Sequence, residues 1–157
     1  MTAHPVIKKL QYKDLTQSAL ILQAPESYKD VIDAFPSEVD TEISKNEYGF
    51  IQVFGTSNDS IKSAASQAIP YLTNGGLLWL CYPKKSSKTY KGSDCSRETV
   101  GKLIADLNFE PVSQVAVDED WSALRFRPVD QIKTMTRSFA YTEEGKQRTK
   151  KEEGSSK

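Results

Sequence analysis

The residues best suited to chemistry gather in two short stretches. Between Pro83 and Ser93 stand Lys84, Lys85, Lys88 and Lys91, interleaved with Ser86, Ser87 and Thr89 and with no acid among them. Lysines supply mobile positive charge, while hydroxyls and backbone N–H groups ahead of a helix supply donors, a combination that suits a phosphate or carboxylate. The simpler expectation is a solvated loop whose lysines pair with Asp118, Glu119 and Asp120, each exposed pair contributing about 0–1 kcal/mol. No Walker pattern accompanies the lysines. The second stretch, Ala24-Pro25-Glu26, opens a helix whose first N–H groups, at Ser27 and Tyr28, would face a bound anion. A carboxylate there more often satisfies the helix terminus itself, so Glu26 is expected to cap. The candidate ligand-binding residues are Ala24, Pro25, Glu26, Lys84, Lys85, Ser86 and Ser87.

Other reactive groups are sparse. Cys95 follows the basic loop in a first helical turn, where a thiol pKa can fall, but no resolving cysteine or paired histidine accompanies it, so it is expected to be inert. Cys81 lies in an apolar run and reads as packing. His4 is the only histidine and sits in a lead without recognisable structure. One histidine and two cysteines cannot assemble a soft-metal cluster in one chain. We assign no catalytic residue, no metal and no cofactor from these residues.

The elements that must position these stretches follow from apolar patterning. Ser18 to Gln23 is a short continuous apolar run, the pattern of a strand buried on both faces of a parallel sheet. Pro25 then starts a helix with Tyr28, Val31, Ile32 and Phe35 on one side, stopped by Pro36. Val39–Ile43 alternates as an edge strand, and Tyr48–Phe54 is a mostly apolar one. Ser57, Asn58 and Asp59 are cap candidates for a helix whose inner stripe is Ile61, Ala64, Ala65, Ala68, Ile69 and Leu72. Asn74-Gly75-Gly76 reads as a turn that launches Leu77–Tyr82, the central strand. Ser93 or Asp94 caps a helix with Val100, Leu103, Ile104 and Leu107 inward, closing near Asn108. Pro111–Val117 and Trp121–Arg127 pair as an antiparallel hairpin, with Trp79 and Trp121 serving as packing. Val129 to Arg137 is at most a short helix.

Strands alternating with helices imply a three-layer Rossmann-like α/β domain, a mostly parallel sheet carrying a C-terminal antiparallel hairpin strand. Ligands in such sheets lie beyond the carboxyl ends of the strands, which points to the loops after Gln23, Phe54 and Tyr82. The arrangement resembles a small class I methyltransferase-like Rossmann domain, on the leading strand and helix, on Leu72-Thr73-Asn74-Gly75-Gly76-Leu77-Leu78-Trp79, and on the hairpin from Phe109 to Phe126. Gln23-Ala24-Pro25-Glu26, Tyr82-Pro83-Lys84-Lys85-Ser86-Ser87 and Trp121-Ser122-Ala123-Leu124-Arg125-Phe126 are similar to signatures of small, mostly bacterial domains of unknown function. The methyltransferase resemblance implies a glycine-rich turn after the first strand, an acid at the end of the second to hold ribose hydroxyls, and, in amino-methylating members, an Asp/Asn-Pro-Pro-aromatic motif. In their places stand Gln23-Ala24-Pro25-Glu26-Ser27 without glycine, Asp40 and Glu42 inside a strand, and Gly55-Thr56-Ser57.

On these residues we expect a non-catalytic binding or interaction module without the methyl-donor pocket. Two alternatives stand beside it: a protein using a nucleotide or other phosphorylated or anionic ligand at one edge built from Ala24–Tyr28 and Lys84–Ser87, and a divergent S-adenosylmethionine-dependent methyltransferase. The 157 residues carry 21 Lys plus Arg against 21 Asp plus Glu, so no global field favours nucleic acid, and only Tyr82 and Tyr90 accompany the lysines, which disfavours it further. From Glu26 to Glu47 seven acids face two lysines, opposite in sign to the basic loop, a polarity that suits self-association or a charged partner; the partner expected is an anionic small molecule or a protein. No run approaches the length of a membrane span and no leader is recognisable, so a cytoplasmic protein is expected. Residues 1–137 are expected to form one domain. Residues 138–157, charged and almost without apolar side chains, are expected to be a disordered tail, with partner recruitment as a further alternative role.

Overall fold

A computed structural model describes residues 5–10, 18–35 and 38–129. The proposed helix beyond Val129, the charged tail and His4 lie outside these residues. Six strands form one sheet: β1 (Ala19–Leu22), β2 (Val39–Asp40), β3 (Tyr48–Phe54), β4 (Leu72–Pro83), β5 (Phe109–Ala116) and β6 (Trp121–Pro128), in the order β2-β1-β3-β4-β6-β5. β2, β1, β3 and β4 run parallel, and β6 is antiparallel to both β4 and β5. The three-layer, mostly parallel Rossmann-like architecture with a reversed C-terminal strand is therefore present. The reversed strand is β6, inserted between β4 and β5 rather than lying at the sheet margin.

Two apolar clusters cover the faces of the sheet. One gathers Leu20, Ile51, Val53, Leu78, Leu80 and Leu124 beneath α3 (Asn58–Ala68) and α4 (Arg97–Gly101). The other gathers Ile21, Phe50, Phe54, Trp79 and Ala123 beneath α1 (Pro5–Lys9) and α2 (Lys29–Asp33). The strands alternate between them because successive side chains point to opposite faces, and both faces are dry. Helix α1 corrects the expectation of an unstructured lead: Ile7 and Leu10 are fully buried, and the Trp79 indole N–H donates to the Leu10 carbonyl at 3.1 Å.

Three other elements depart from the sequence pattern. The helix after Pro25 is split into a 3-10 turn over Glu26–Tyr28 and the single-turn α2. Asn74-Gly75-Gly76 forms no turn but stays within β4, whose pairing with β3 slips between Tyr48↔Leu72 and Phe50↔Leu77. A Cβ on Gly76 would stand 2.8 Å from Leu72 Cδ1 and 2.9 Å from Thr73 Oγ1, so the glycine is needed for a close backbone irregularity rather than for a reversal. Helix α4 is capped by Ser96, not by Ser93 or Asp94, and closes after five residues. The following 3-10 turn ends at left-handed Asn108, the closure expected there.

Candidate functional site

Because β1, β3 and β4 are parallel, their carboxyl ends emerge along one edge. The chain leaves β1 toward β2 on one side and returns through β3 on the other, so the strand order reverses between β1 and β3. That reversal opens a crevice at the edge. The residue entering it is Gln23, at φ 60°, a left-handed conformation that glycine adopts without cost and glutamine does not. Its side chain compensates. Gln23 Nε2 donates to the Phe54 carbonyl at 2.8 Å and, more weakly, to that of Ser60 at 3.4 Å, bridging the ends of β1 and β3.

Beside this bridge lies a cleft of about 300 Å³ lined by Ile21, Ala24, Pro25, Glu26, Lys29 and Thr41, among others. Pro25 is extended and accepts the Tyr28 N–H at 2.9 Å, which closes the turn without help from a side chain. Glu26 makes no capping hydrogen bond, contrary to expectation, because the turn is satisfied by backbone alone; it faces the cleft instead. Tyr28 is core, its hydroxyl donating to buried Gln52 Oε1 at 2.9 Å. The strand β2 stops at Asp40, so an acid does stand at the end of the second strand. Its Oδ2 accepts from Tyr48 Oη at 2.6 Å and from Lys45 Nζ and Ser44 Oγ, both at 2.7 Å. The bonds from Lys45 and Tyr48 hold its carboxyl down at about 2.

At the end of β4 a larger cleft, about 590 Å³, is lined by Tyr82, Lys84, Lys85, Ser86, Arg97 and Glu98, among others. Ser87 is not in it. That hydroxyl is buried, donating to Asp120 Oδ1 at 2.7 Å and accepting the Tyr90 N–H at 3.1 Å. Lys84 N–H donates to the Asp120 carbonyl at 2.8 Å, so the basic loop is tied to the hairpin through Asp120. Asp118 Oδ1 accepts the N–H groups of Asp120 and Trp121. Asp120 thus reaches the basic loop as expected, yet through backbone and a hydroxyl, and among the described residues no acid forms an ion pair with Lys84, Lys85, Lys88 or Lys91. Cys95 is buried, and desolvation raises its thiol pKa, the inert state expected of it.

The two clefts have no lining residue in common. β3 stands between β1 and β4, and two strand spacings separate the loops by about 10 Å. The residues expected to build one edge site, Ala24–Tyr28 and Lys84–Ser87, therefore do not line a single cleft: Ala24, Pro25 and Glu26 line one, and Lys84, Lys85 and Ser86 the other. Arg97 was invisible to the sequence argument, since a lone arginine at a helix start carries no signal until the fold brings it opposite Lys84.

No family model matches the sequence, and no curated protein matches it. Solved structures do. A SAM-dependent methyltransferase from Aquifex aeolicus superposes with TM-score 0.52 at 14% identity, covering 79% of this chain and 88% of that one. The chain shares the Rossmann-like fold of the class I methyltransferases. The N-methyltransferase NodS from Bradyrhizobium japonicum WM9 gives 0.50 at 14% identity over 77% of this chain and 93% of its own. The mitomycin 7-O-methyltransferase MmcR gives 0.53 at 7% identity over 78% and 52%. These neighbours overturn the expectation of a non-catalytic module: proteins of this fold described as methyltransferases favour the divergent methyltransferase reading. Among the described residues no helix is long and apolar enough to cross a membrane.

Proposed function

We propose that the protein is a divergent S-adenosylmethionine-dependent methyltransferase that holds its donor in the cleft at the ends of β1 and β2. The observation that carries this reading is the cleft's lining. Ile21, Ala24, Pro25 and Ile32 offer an apolar wall, Lys29 an ammonium, and Glu26 a carboxylate with no hydrogen-bond partner among the described residues. That set fits the donor's chemistry: an apolar surface for the purine, a cation for the amino-acid carboxylate, an acid for hydroxyls or for positive charge. The donor, when bound, supplies a methyl group on a sulfonium centre. The left-handed turn at Gln23 stands where the resemblance calls for a glycine turn, with a side chain that braces β3. Thr41, one residue beyond Asp40, lines the cleft, while Asp40 itself is committed to Lys45 and Tyr48.

Calorimetric titration with S-adenosylmethionine and S-adenosylhomocysteine tests this. Both are expected to bind in the micromolar range, and Ala24→Trp, which fills the cleft, is expected to weaken both at least tenfold without loss of fold. Absence of heat for either ligand up to about 1 mM, a binding free energy weaker than about 4 kcal/mol, overturns the reading.

A further inference from the structure

The larger cleft at the end of β4 has no part in holding a donor between β1 and β2, yet it is strongly cationic. Three cations, Lys84, Lys85 and Arg97, line it against one carboxylate, Glu98. Among the described residues none of the three forms an ion pair. Three other acids nearby in sequence are hydrogen-bonded elsewhere: Asp120 by Ser87, Asp118 by the hairpin backbone, and Asp94 by the Asn58 N–H at 2.9 Å.

Both rims are built rather than loose. On one side Lys84 and Ser87 are fastened to Asp120. On the other the segment before α4 is clasped to the loop after β3: Ser93 Oγ donates to the Thr56 carbonyl at 2.7 Å, Asn58 Nδ2 to the Asp94 carbonyl at 3.0 Å, and Thr99 Oγ1 to Asn58 Oδ1 at 3.1 Å. Arg97 follows directly on this clasp. At the floor Tyr82 is 4% exposed, and its hydroxyl makes no hydrogen bond to the described residues. That hydroxyl opens onto the cleft, where it can donate to a bound oxygen. Burial raises its pKa, so it stays a donor at neutral pH.

We infer that this cleft is a binding site for a small molecule bearing a phosphate or carboxylate group, gripped by Lys84, Lys85 and Arg97 with Tyr82 and Ser86 as neutral donors. Arginine recognises such planar or tetrahedral anions through paired N–H groups, and lysines add charge without geometry. The volume admits a metabolite-sized anion, whereas Glu98 inside the cleft and a chain balanced at 21 Lys plus Arg against 21 Asp plus Glu disfavour a nucleic-acid strand. The inference stands independently of the methyl-donor reading, because it uses other residues and requires no donor.

The test uses the full chain without donor. Inorganic pyrophosphate, citrate and a 20-nucleotide single-stranded RNA are titrated separately, with backbone amide NMR shifts followed against sodium chloride of matched ionic strength. Pyrophosphate or citrate is expected to saturate and to shift amides at Lys84–Ser86 and Ser96–Glu98. Lys84→Gln with Arg97→Gln is expected to lower that affinity at least tenfold, and Tyr82→Phe about threefold. Both variants are checked by far-ultraviolet circular dichroism, and charge reversal of the surface residue Lys102 serves as a control for general electrostatics. Shifts that match those of sodium chloride, affinity that survives in the double variant, an equal loss in the Lys102→Glu control, or RNA binding tighter than both small anions overturns the proposal.

Discussion

Gln23 allows the strain and the bridging at the switch-point crevice to be separated by two substitutions. At φ 60° a side chain with a Cβ costs about 1 kcal/mol relative to glycine, after allowing for the freedom glycine loses on folding. The hydrogen bond from Nε2 to the Phe54 carbonyl, at 2.8 Å and partly buried, contributes about 1 kcal/mol in the opposite direction. Gln23→Ala keeps the strain and loses the bond, so it is expected to destabilise by about 1 kcal/mol. Gln23→Gly loses both and is expected to fall within about 0.5 kcal/mol of the parent, and hence to be about 1 kcal/mol more stable than the alanine variant. Urea titration followed by tryptophan fluorescence is a direct assay, since Trp79 and Trp121 are both buried. If glycine proves no more stable than alanine, the turn is not strained. If alanine matches the parent, the bridge contributes nothing, and the account of how β1 and β3 are joined at their carboxyl ends fails.

Two further outcomes are expected. Asp40 is held at about 2 instead of its ordinary 3.8 by Lys45 and Tyr48; because Lys45 is about a third exposed, the full shift is discounted to about 1 kcal/mol of stability. A depressed carboxyl pKa stabilises above about pH 4 and that contribution is lost as pH falls through about 2, so Asp40→Asn should flatten the pH dependence of urea stability across that interval; an unchanged profile counts against the cluster. Trp79→Phe removes the donor to the Leu10 carbonyl, a buried bond contributing about 1 kcal/mol, and should let trypsin cleave at the exposed Lys8 and Lys9 faster than in the parent, while equal rates would mean that α1 is held by Ile7 and Leu10 packing alone.

Much of the architecture was legible because burial on two faces leaves a composition that solvent exposure would not permit. Leu77–Tyr82 is apolar throughout and is the strand flanked by parallel β3 on one side and antiparallel β6 on the other. Ser57 was visible as a cap since its hydroxyl serves the N–H of Ser60 within one turn. Where the pattern misled, a distant partner outweighed a local preference. Asn74-Gly75-Gly76 has turn chemistry, but β3 offers a ladder and the glycines permit a bulge. The lead looked featureless because five helical residues show no period, and its order depends on an indole from β4.

The candidate sites divide along the same line. Residue types alone marked the basic loop and the Ala24–Glu26 turn as the chemically notable stretches, for charge and hydroxyl content are properties of composition. Whether the two formed one site depended on how many strands lie between β1 and β4, a fact of pairing that no local run of residues encodes. The availability of each charge was likewise a tertiary matter: Asp120 and Asp40 lose theirs to hydroxyls and a lysine brought in by other loops, and Arg97 gains its place opposite Lys84 only when α4 is clasped to the end of β3. Sequence determined which groups the chain carries and the order in which it presents them; folding decided which of them meet, because electrostatic and hydrogen-bonding partnerships are set by distance in space.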